Sequence, residues 1–307
     1  MLHANLPHWD GKSQPITYMG SSLIPKGGQR NFDMVQVPCK INNGRLFNLS
    51  LNKNGVELIS NVTTKLTTQQ FYTQPDSITS TYYDECCAFV QHHTGCSKVF
   101  AFDHNVRNAQ VKLFAERNSN ITTKATIRPD GPVRFVHNDY TDTSGPQRVL
   151  DLAKPGGSYT KSGALFSTTE AKNIIESKRY VFVNLWRPIG NHPVIDVPLA
   201  VCDAQSMQES DFTNCQLIYE NRIGQIHIIK HNVRHQWHWF PCMNKHEALL
   251  LKCWDSDRST GAGATKKKCR FTAHTAFLNP NAPIDAPPRE SCEVRCLLVF
   301  VRNQICE

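Results

Sequence analysis

The sequence lacks an apolar run of about 18 residues, the length that a membrane-spanning helix needs. Its first residues, Met1 to His8, carry no apolar core of the kind found in secretion signals, so we expect a cytoplasmic protein. No Cys-x-x-Cys pair occurs among the 12 cysteines, which argues against a zinc ribbon. We therefore expect free thiols in a reducing compartment, most of them packed in the interior.

Concentrated charge is also missing. Lys and Arg number 34 against 26 Asp and Glu, which gives a formal net charge of +8. The one tight basic run, residues 266–270, follows a stretch of small residues at 261–264 and is typical of a solvated loop. Proteins that bind nucleic acids usually gather basic residues on one face or interleave them with aromatic residues. We predict neither a nucleic-acid nor a membrane partner, and the sequence gives no oligomeric state.

Short apolar segments between turn residues dominate the second half of the chain. Helices are fewer, at 82–93, 147–153 and after the capping box Ser167–Glu170. Asn54-Gly55 between 47–51 and 56–59 indicates a hairpin. Strands are predicted at 97–103, 132–140, 180–186, 197–202, 215–219, 224–229, 237–240, 248–254, 270–278 and 292–301.

This pattern is typical of a mainly β fold with flanking helices, such as a jelly roll. No Ser/Gly-rich tether divides the chain, so we predict a single domain over residues 1–307. Within it, residues 1–34 would form an N-terminal extension and residues from about 130 to 302 the jelly-roll core.

A His-x-Asp pair lies in the predicted strand at 132–140. His137 and Asp139 would share one face of that strand and could reach the same metal ion. A second histidine from a distant strand would complete the two nitrogens and one carboxylate used by non-haem Fe(II) oxygenases. The other His-x-Asp pair, His8 and Asp10, lies in a polar start with no predicted strand to orient it, so we set it aside.

The distal half of the chain supplies residues that fit the same chemistry. His274 lies in the predicted strand at 270–278, and Arg289-Glu290-Ser291 follows at the start of a strongly apolar strand. A guanidinium beside a hydroxyl can bind a carboxylate in a bidentate way, as the far end of 2-oxoglutarate would require. Arg295 is the competing anchor, and a further Arg-x-Ser at Arg117–Ser119 has neither a strand nor an upstream histidine around it.

With these residues in place, the chain resembles the fungal hydroxylase/desaturase family of Fe(II)/2-oxoglutarate-dependent dioxygenases, which includes gibberellin desaturase, aspergillic acid hydroxylase and a cephamycin methoxylase component. The resemblance extends from about residue 35 to the C-terminus. Trp254, Gln236 and Ala273 depart from the Tyr, Arg and Pro expected there, which bears on the substrate rather than on the metal. The matching stretches are 102–107, 136–141, 144–148, 184–189, 198–203, 252–256 and 285–291.

The resemblance implies a double-stranded β-helix core, an Fe(II) site and the use of O₂. It implies hydroxylation or desaturation of a small secondary metabolite, coupled to conversion of 2-oxoglutarate into succinate and CO₂. A carboxylate ligand leaves no place for a halide, so a halogenase is disfavoured. The implied ligands are His137, Asp139 and His274 for iron and Arg289 and Ser291 for 2-oxoglutarate, with Tyr140, Arg148, Trp186, Arg187 and His104 as substrate-binding or supporting residues.

Two other classes of function stay open. His227, His231, His235 and His238 form the densest histidine cluster, which could serve a zinc-dependent hydrolase or lyase. On a helix these side chains would line one face, whereas the isoleucines between them favour strands. A jelly roll that binds a small molecule without catalysis is the second alternative.

Overall fold

The computed structural model describes residues 1–12, 14–19, 23, 25, 29–108, 131–155, 163–220, 222–258 and 269–301. Strands dominate these ranges and form two sheets, which confirms the prediction of a mainly β fold. The larger sheet has nine strands in the order β1 (Leu2–Trp9), β3 (Met34–Asn43), β11 (Trp237–Trp239), β8 (Leu199–Cys202), β13 (His274–Ala276), β6 (His137–Asn138), β10 (Ile223–Ile229), β9 (Phe212–Ile218) and β2 (Ile16–Tyr18).

The smaller sheet carries the most apolar strands of the chain. Its order is β4 (Val56–Ser60), β12 (Glu247–Asp255), β7 (Arg179–Pro188), β14 (Glu290–Phe300) and β5 (Lys98–Asn108), all antiparallel neighbours. β12 is buried along its whole length. Strands buried on both faces read as continuous apolar runs, which is why this sheet could be recognised in the sequence.

The helices pack against both sets of side chains of the smaller sheet. α1 (Thr68–Thr73), α2 (Pro75–Ser77), a π-helical turn (Ile78–Tyr82) and α3 (Tyr83–Thr94) follow one another, and α4 (Ser144–Leu152) and α5 (Thr168–Ser177) come later in the chain. Short 3₁₀ turns occupy Gly44–Leu46, Ala204–Ser206 and Glu209–Asp211. The hydroxyl of Ser167 accepts the backbone N–H of Glu170 at 3.1 Å, so the predicted helix start is confirmed.

The side chains of β7 alternate between two cores, as a strand requires. Val181, Val183 and Leu185 pack with α1–α3 in one apolar cluster. Tyr180, Phe182 and Trp186 pack with α4 and α5 in the other. Asn184 occupies the same series as the second group, and its amide therefore points toward the space between the two sheets, where the candidate site lies.

Several local predictions were wrong. Residues 47–51 form no strand, and β4 pairs with β12 rather than closing a hairpin. Gly55 does have the left-handed backbone conformation of a turn, with φ 79°. The strand that follows this turn is β4, and its pairing partner is the distant strand β12. The strands predicted at 132–140 and 270–278 shrink to β6 and β13. Their flanking residues make isolated bonds instead of a continuous ladder, as Val136 does to the carbonyl of Pro7 and Thr272 to the side chain of Asn138.

The start of the chain also differs from expectation. It is the long strand β1, paired along its length with β3, so His8 lies in a strand and is fully buried. Pro7 fits there because proline is tolerated at sheet edges and β1 is an edge strand.

Two chemical features follow from the described part of the chain. No helix in it is long and apolar enough to cross a membrane. Its cysteines, from Cys39 to Cys296, are free thiols, and most are buried. Two features noted in the sequence lie outside the described residues. They are the further Arg-x-Ser at Arg117–Ser119 and most of the basic run at 266–270.

Candidate metal centre

Two histidines meet where β6 and β13 pair. His137 lies directly opposite His274 in the antiparallel register, with the ring centroids 4.5 Å apart. The Nδ1–H of His137 donates to the carbonyl of Phe135 at 2.8 Å, and that of His274 donates to the carbonyl of Thr272 at 3.1 Å. These bonds fix the ring orientations and leave both Nε2 atoms available as ligands.

The separation of the rings matches a particular metal geometry. With metal–nitrogen bonds of about 2.1 Å, a metal lies about 3.2 Å from the centroid of each ring that it binds. Two rings at right angles around the metal, as in a facial triad, then have centroids about 4.5 Å apart.

Asp139, the third candidate ligand, lies in a bend just after β6. Its Oδ1 lies 3.6 Å from Nε2 of His137, and the ligand atoms of Asp139, His137 and His274 all lie within 4.8 Å of one another. Its other oxygen, Oδ2, accepts the side-chain N–H of Asn184 at 2.7 Å and Nε of Arg295 at 3.4 Å. One carboxylate oxygen is thus held by the protein while the other faces the histidines.

The local electrostatics favour the protonation states that a metal requires. Burial, reinforced by His274, lowers the pKa of His137 to about 3, so its imidazole is neutral. Burial alone would raise the pKa of Asp139, but Arg295 and the two histidines outweigh it and hold that pKa below its usual range. The site therefore brings together two imidazoles and one carboxylate, a ligand set that suits a divalent transition metal.

The guanidinium of Arg295 is paired with carboxylates of the protein. Besides Asp139, its guanidinium contacts Asp103 at 3.1 Å and Glu293 at 3.0 Å. These acids outweigh the effect of burial and raise the pKa of Arg295. An arginine already surrounded by acids has no donor pair to offer to another carboxylate, so the geometry disfavours it as the anchor for 2-oxoglutarate.

Arg289 and Ser291, at the edge of the same space, are different. Arg289 lines a cavity of about 1780 Å³ that also contains the three ligand residues. Both side chains are buried, at 4% and 1% exposure, yet Arg289 Nε and Ser291 Oγ have no hydrogen-bond partner in the described structure. Among the described residues, Arg289 has one hydrogen bond, from Nη1 to the carbonyl of Val197 at 2.9 Å. Unpaired buried donors are costly, and they fit a carboxylate group of a ligand.

Comparisons with known proteins address the family to which the chain belongs. A family model described as an oxidoreductase/YMDC permease-like domain matches residues 5–300. The hydroxylase/desaturase CTB9 of Cercospora beticola is 29% identical over 74% of this chain and 65% of its own length, so the chain spans just under two thirds of that relative. The alpha-ketoglutarate-dependent dioxygenase phiK of a fungal species is 28% identical over 98% of this chain and 96% of its own. The chain belongs to the fungal hydroxylase/desaturase family of Fe(II)/2-oxoglutarate-dependent dioxygenases.

A solved structure extends the likeness to the fold. The iron and alpha-ketoglutarate-dependent endoperoxidase NvfI, from Aspergillus novofumigatus, superposes with a TM-score of 0.76. The superposition covers 98% of each chain at 21% identity. It confirms the predicted jelly-roll core of this hydroxylase/desaturase family member, and the family assignment supports the oxygenase prediction over the zinc hydrolase or lyase.

Three of the five supporting residues predicted from the family resemblance line the cavity: Tyr140, Arg148 and Trp186. The ring of Tyr140 stacks on Phe182, and the guanidinium of Arg148 lies 5.0 Å from the ring centre of Phe102. Trp186 lies beside Arg289, whose guanidinium carbon is 5.7 Å from the Trp186 ring.

The other two lie outside the cavity. His104 Nδ1 is hydrogen-bonded to the hydroxyl of Tyr83 at 2.8 Å. Arg187 is buried and donates to the backbone carbonyls of Thr63 and Lys245, so it joins two loops to β7. These contacts indicate a structural role for both residues.

Sequence reasoning missed two residues of the site. Asn184 was quoted only as part of a family stretch, yet it holds Asp139. Arg107 lines the cavity, faces Ser291 in the register of β5 and β14, and helps burial to lower the pKa of Arg289 to about 9. The available signal was a polar residue within an apolar strand, which Asn184 provides between Val183 and Leu185.

The histidine cluster at 227–238 does not converge on one point. His227 packs against Phe271 with ring centroids 4.8 Å apart, and His238 packs against Phe47 at 4.7 Å. His231 instead lies 5.1 Å from His8 between ring centroids, and the ring of His235 lies 6.3 Å from that of His231. The predicted zinc hydrolase or lyase therefore lacks a four-histidine site in the described residues.

Proposed function

We propose that the protein is a non-haem Fe(II)- and 2-oxoglutarate-dependent oxygenase that hydroxylates or desaturates a small-molecule secondary metabolite. Fe(II) would be held by His137, Asp139 and His274. Bound there, iron and 2-oxoglutarate supply the oxidant that removes hydrogen from a substrate C–H bond, with succinate and CO₂ as coproducts of the reaction with O₂.

The observation that carries this proposal is the pairing of two features in one cavity. One is a set of two imidazoles and a carboxylate whose ligand atoms lie within 4.8 Å of one another. The other is a buried guanidinium and hydroxyl whose donors are unpaired. A bidentate 2-oxo acid would leave its second carboxylate to be recognised at a distance from the metal, and Arg289 with Ser291 supplies charge and donors for it.

The chain's own residues would do three things in the reaction. Asn184 and Arg295 hold Oδ2 of Asp139, so the carboxylate offers a single oxygen to the metal and keeps its orientation. The carbonyls of Phe135 and Thr272 fix the imidazoles. Arg289 and Ser291 would orient the cosubstrate and leave the remainder of the cavity to the substrate.

The size of the cavity supports a substrate larger than 2-oxoglutarate. Small-molecule sites usually measure about 300–1,000 Å³, whereas this cavity is about 1780 Å³. Its lining includes aromatic side chains such as Tyr140 and Trp186 and basic ones such as Arg148 and Arg222. A mainly apolar metabolite with polar or acidic substituents would suit it.

The test is a screen of fungal metabolite extracts with the purified protein, Fe(II), 2-oxoglutarate and air, read by mass spectrometry. We expect a compound that gains one oxygen atom or loses two hydrogen atoms only when both 2-oxoglutarate and O₂ are present, with succinate formed alongside. Turnover that persists without 2-oxoglutarate, or that survives His137→Ala, would contradict the proposal.

A further inference from the structure

A second cluster of metal-ligating side chains lies away from the cavity, at the edge of the nine-stranded sheet. His8, Cys39 and His231 place one ligand atom each within 4.8 Å of one another. None of the three lines the cavity of the candidate iron site. They come from β1, β3 and the segment that follows β10, and an isolated parallel bridge between Trp9 and Lys230 joins the ends of those strands.

The orientation of His8 is the decisive detail. Its side chain is fully buried, and its Nδ1–H donates to the carbonyl of Leu6 at 3.0 Å. Its Nε2 is buried without a partner in the described structure. His137 and His274 show the same arrangement, in which Nδ1 bonds to the carbonyl two residues earlier and Nε2 is left for a ligand. Histidines that bind metals are typically fixed in this way.

Two neighbouring histidines also have a buried ring nitrogen without a partner in the described residues. His231 has a buried Nδ1 without a partner in the described ranges. His235 has an unpartnered buried Nδ1 as well, while its Nε2 bonds to the carboxylate of Asp211 at 3.1 Å. Cys39 is also buried, at 4% exposure, and can supply a thiolate.

The ring spacing separates this cluster from the iron site. The centroids of His8 and His231 are 5.1 Å apart, against 4.5 Å for His137 and His274. Two imidazoles bound to one metal at the tetrahedral angle have centroids about 5.2 Å apart when the bonds are about 2.1 Å long. Nitrogen and sulfur ligands in a tetrahedral arrangement are the preference of Zn²⁺.

We propose that His8, Cys39 and His231 bind one Zn²⁺ ion, each through one nitrogen or sulfur atom. Because the ligands come from β1, β3 and the segment between β10 and β11, the ion would fasten the N-terminal strand pair to the segment that follows β10. The site is structural and separate from the proposed oxygenase chemistry, so either proposal can fail without the other.

Zinc binding is measured in the full-length Asp139→Ala protein, whose iron site is disabled. Bound metal is first removed with a chelator, Zn²⁺ is then added, and unbound Zn²⁺ is dialysed away. We expect one Zn²⁺ per chain to remain after dialysis, and Cys39→Ser or His8→Ala to weaken binding at least 100-fold. Cys215→Ser, a buried cysteine on β9, and His3→Ala, an exposed histidine on β1, are the matched controls and should bind as before. Retention of zinc by the Cys39→Ser variant would overturn the proposal.

Co²⁺ alone, added to the same Asp139→Ala protein, reports on the ligands directly. We expect the near-ultraviolet charge-transfer absorption of a thiolate–Co(II) bond and the visible bands of a tetrahedral ion. Bound Co²⁺ without the thiolate band would refute the role of Cys39. Because this reading needs no variant of the cluster, it decides the matter even if Cys39→Ser does not fold.

Thermal unfolding gives an independent readout of the structural role. Zn²⁺ at about 100 times its dissociation constant should raise the melting temperature of the Asp139→Ala protein by about 5 °C. Amide exchange in β1 should slow at the same time. No change in either measurement would contradict a metal that fastens the N-terminal strands.

Discussion

Removal of the Arg289 side chain should strongly lower the affinity for 2-oxoglutarate and leave the binding of iron unchanged. The guanidinium is buried, and its Nε has no partner in the described structure. It shares no hydrogen bond with His137, Asp139 or His274, because its one bond to a described residue is to the carbonyl of Val197. Arg289→Ala should therefore separate cosubstrate binding from iron binding.

The magnitude follows from the hydrogen bonds at stake. Bonds to charged groups contribute about 1.5–3 kcal/mol each, and a bidentate guanidinium makes two of them. A loss of about 3 kcal/mol corresponds to a rise of about 100-fold in the dissociation constant and the KM for 2-oxoglutarate. Ser291→Ala removes a single neutral donor, so about 1 kcal/mol and a rise of about fivefold are expected.

The assay is an anaerobic titration of the iron-loaded protein with 2-oxoglutarate, followed by the KM for succinate formation. Arg222→Ala is the matched control, because it removes an arginine from another part of the same cavity. A 2-oxo acid without the second carboxylate provides a further check. The wild type should prefer 2-oxoglutarate to it by about 100-fold, and Arg289→Ala should lose that preference. A variant that keeps the preference would refute Arg289 as the anchor.

Three other outcomes are expected. Asn184→Ala should weaken Fe(II) binding by about 10- to 100-fold in a metal titration, because Asp139 loses a hydrogen bond of 2.7 Å. The control variant Asn191→Ala, which changes an exposed asparagine, should bind Fe(II) as before. Asp255→Asn should lower the free energy of unfolding by about 3–5 kcal/mol in denaturant titrations, since its buried carboxylate pairs with two cations. Burial lowers the pKa of His227 to about 4, so below about pH 6.5 the unfolded chain takes up a proton that the folded chain does not. Stability should fall as the pH drops from about 6.5 toward 4, and less steeply in His227→Gln, whereas equal slopes would contradict this.

The predictable part of the fold was the part governed by local pattern. The apolar runs that became β7, β12 and β14 are buried on both faces, so their sequence alone marked them. The capping box at Ser167 likewise acts within one turn of helix. The jelly roll followed from many short strands with few helices between them.

Long-range pairing decided what the sequence could not. Asn54-Gly55 has the composition of a hairpin turn, but β4 gains more by pairing with the apolar β12. The polar composition around His8 concealed a strand, because the edge strand β1 is held by β3 and not by its own propensity.

The candidate site shows the same division. His137, Asp139, His274, Arg289 and Ser291 came from short patterns and the family resemblance, and the chain folds so that all lie at or beside one cavity. Asn184 was missed because its role depends on a contact with Asp139 across the two sheets. Such contacts have no spacing rule in one sequence.

The most direct test of the central claim is the visible absorption of the protein with Fe(II) and 2-oxoglutarate in the absence of O₂. A 2-oxo acid chelated to Fe(II) should give a weak metal-to-ligand charge-transfer band, which we expect in the wild type and not in Asp139→Ala. Admission of air should then bleach the band and release succinate. No band in the wild type, or an undiminished band in Asp139→Ala, would contradict the assignment of the iron site.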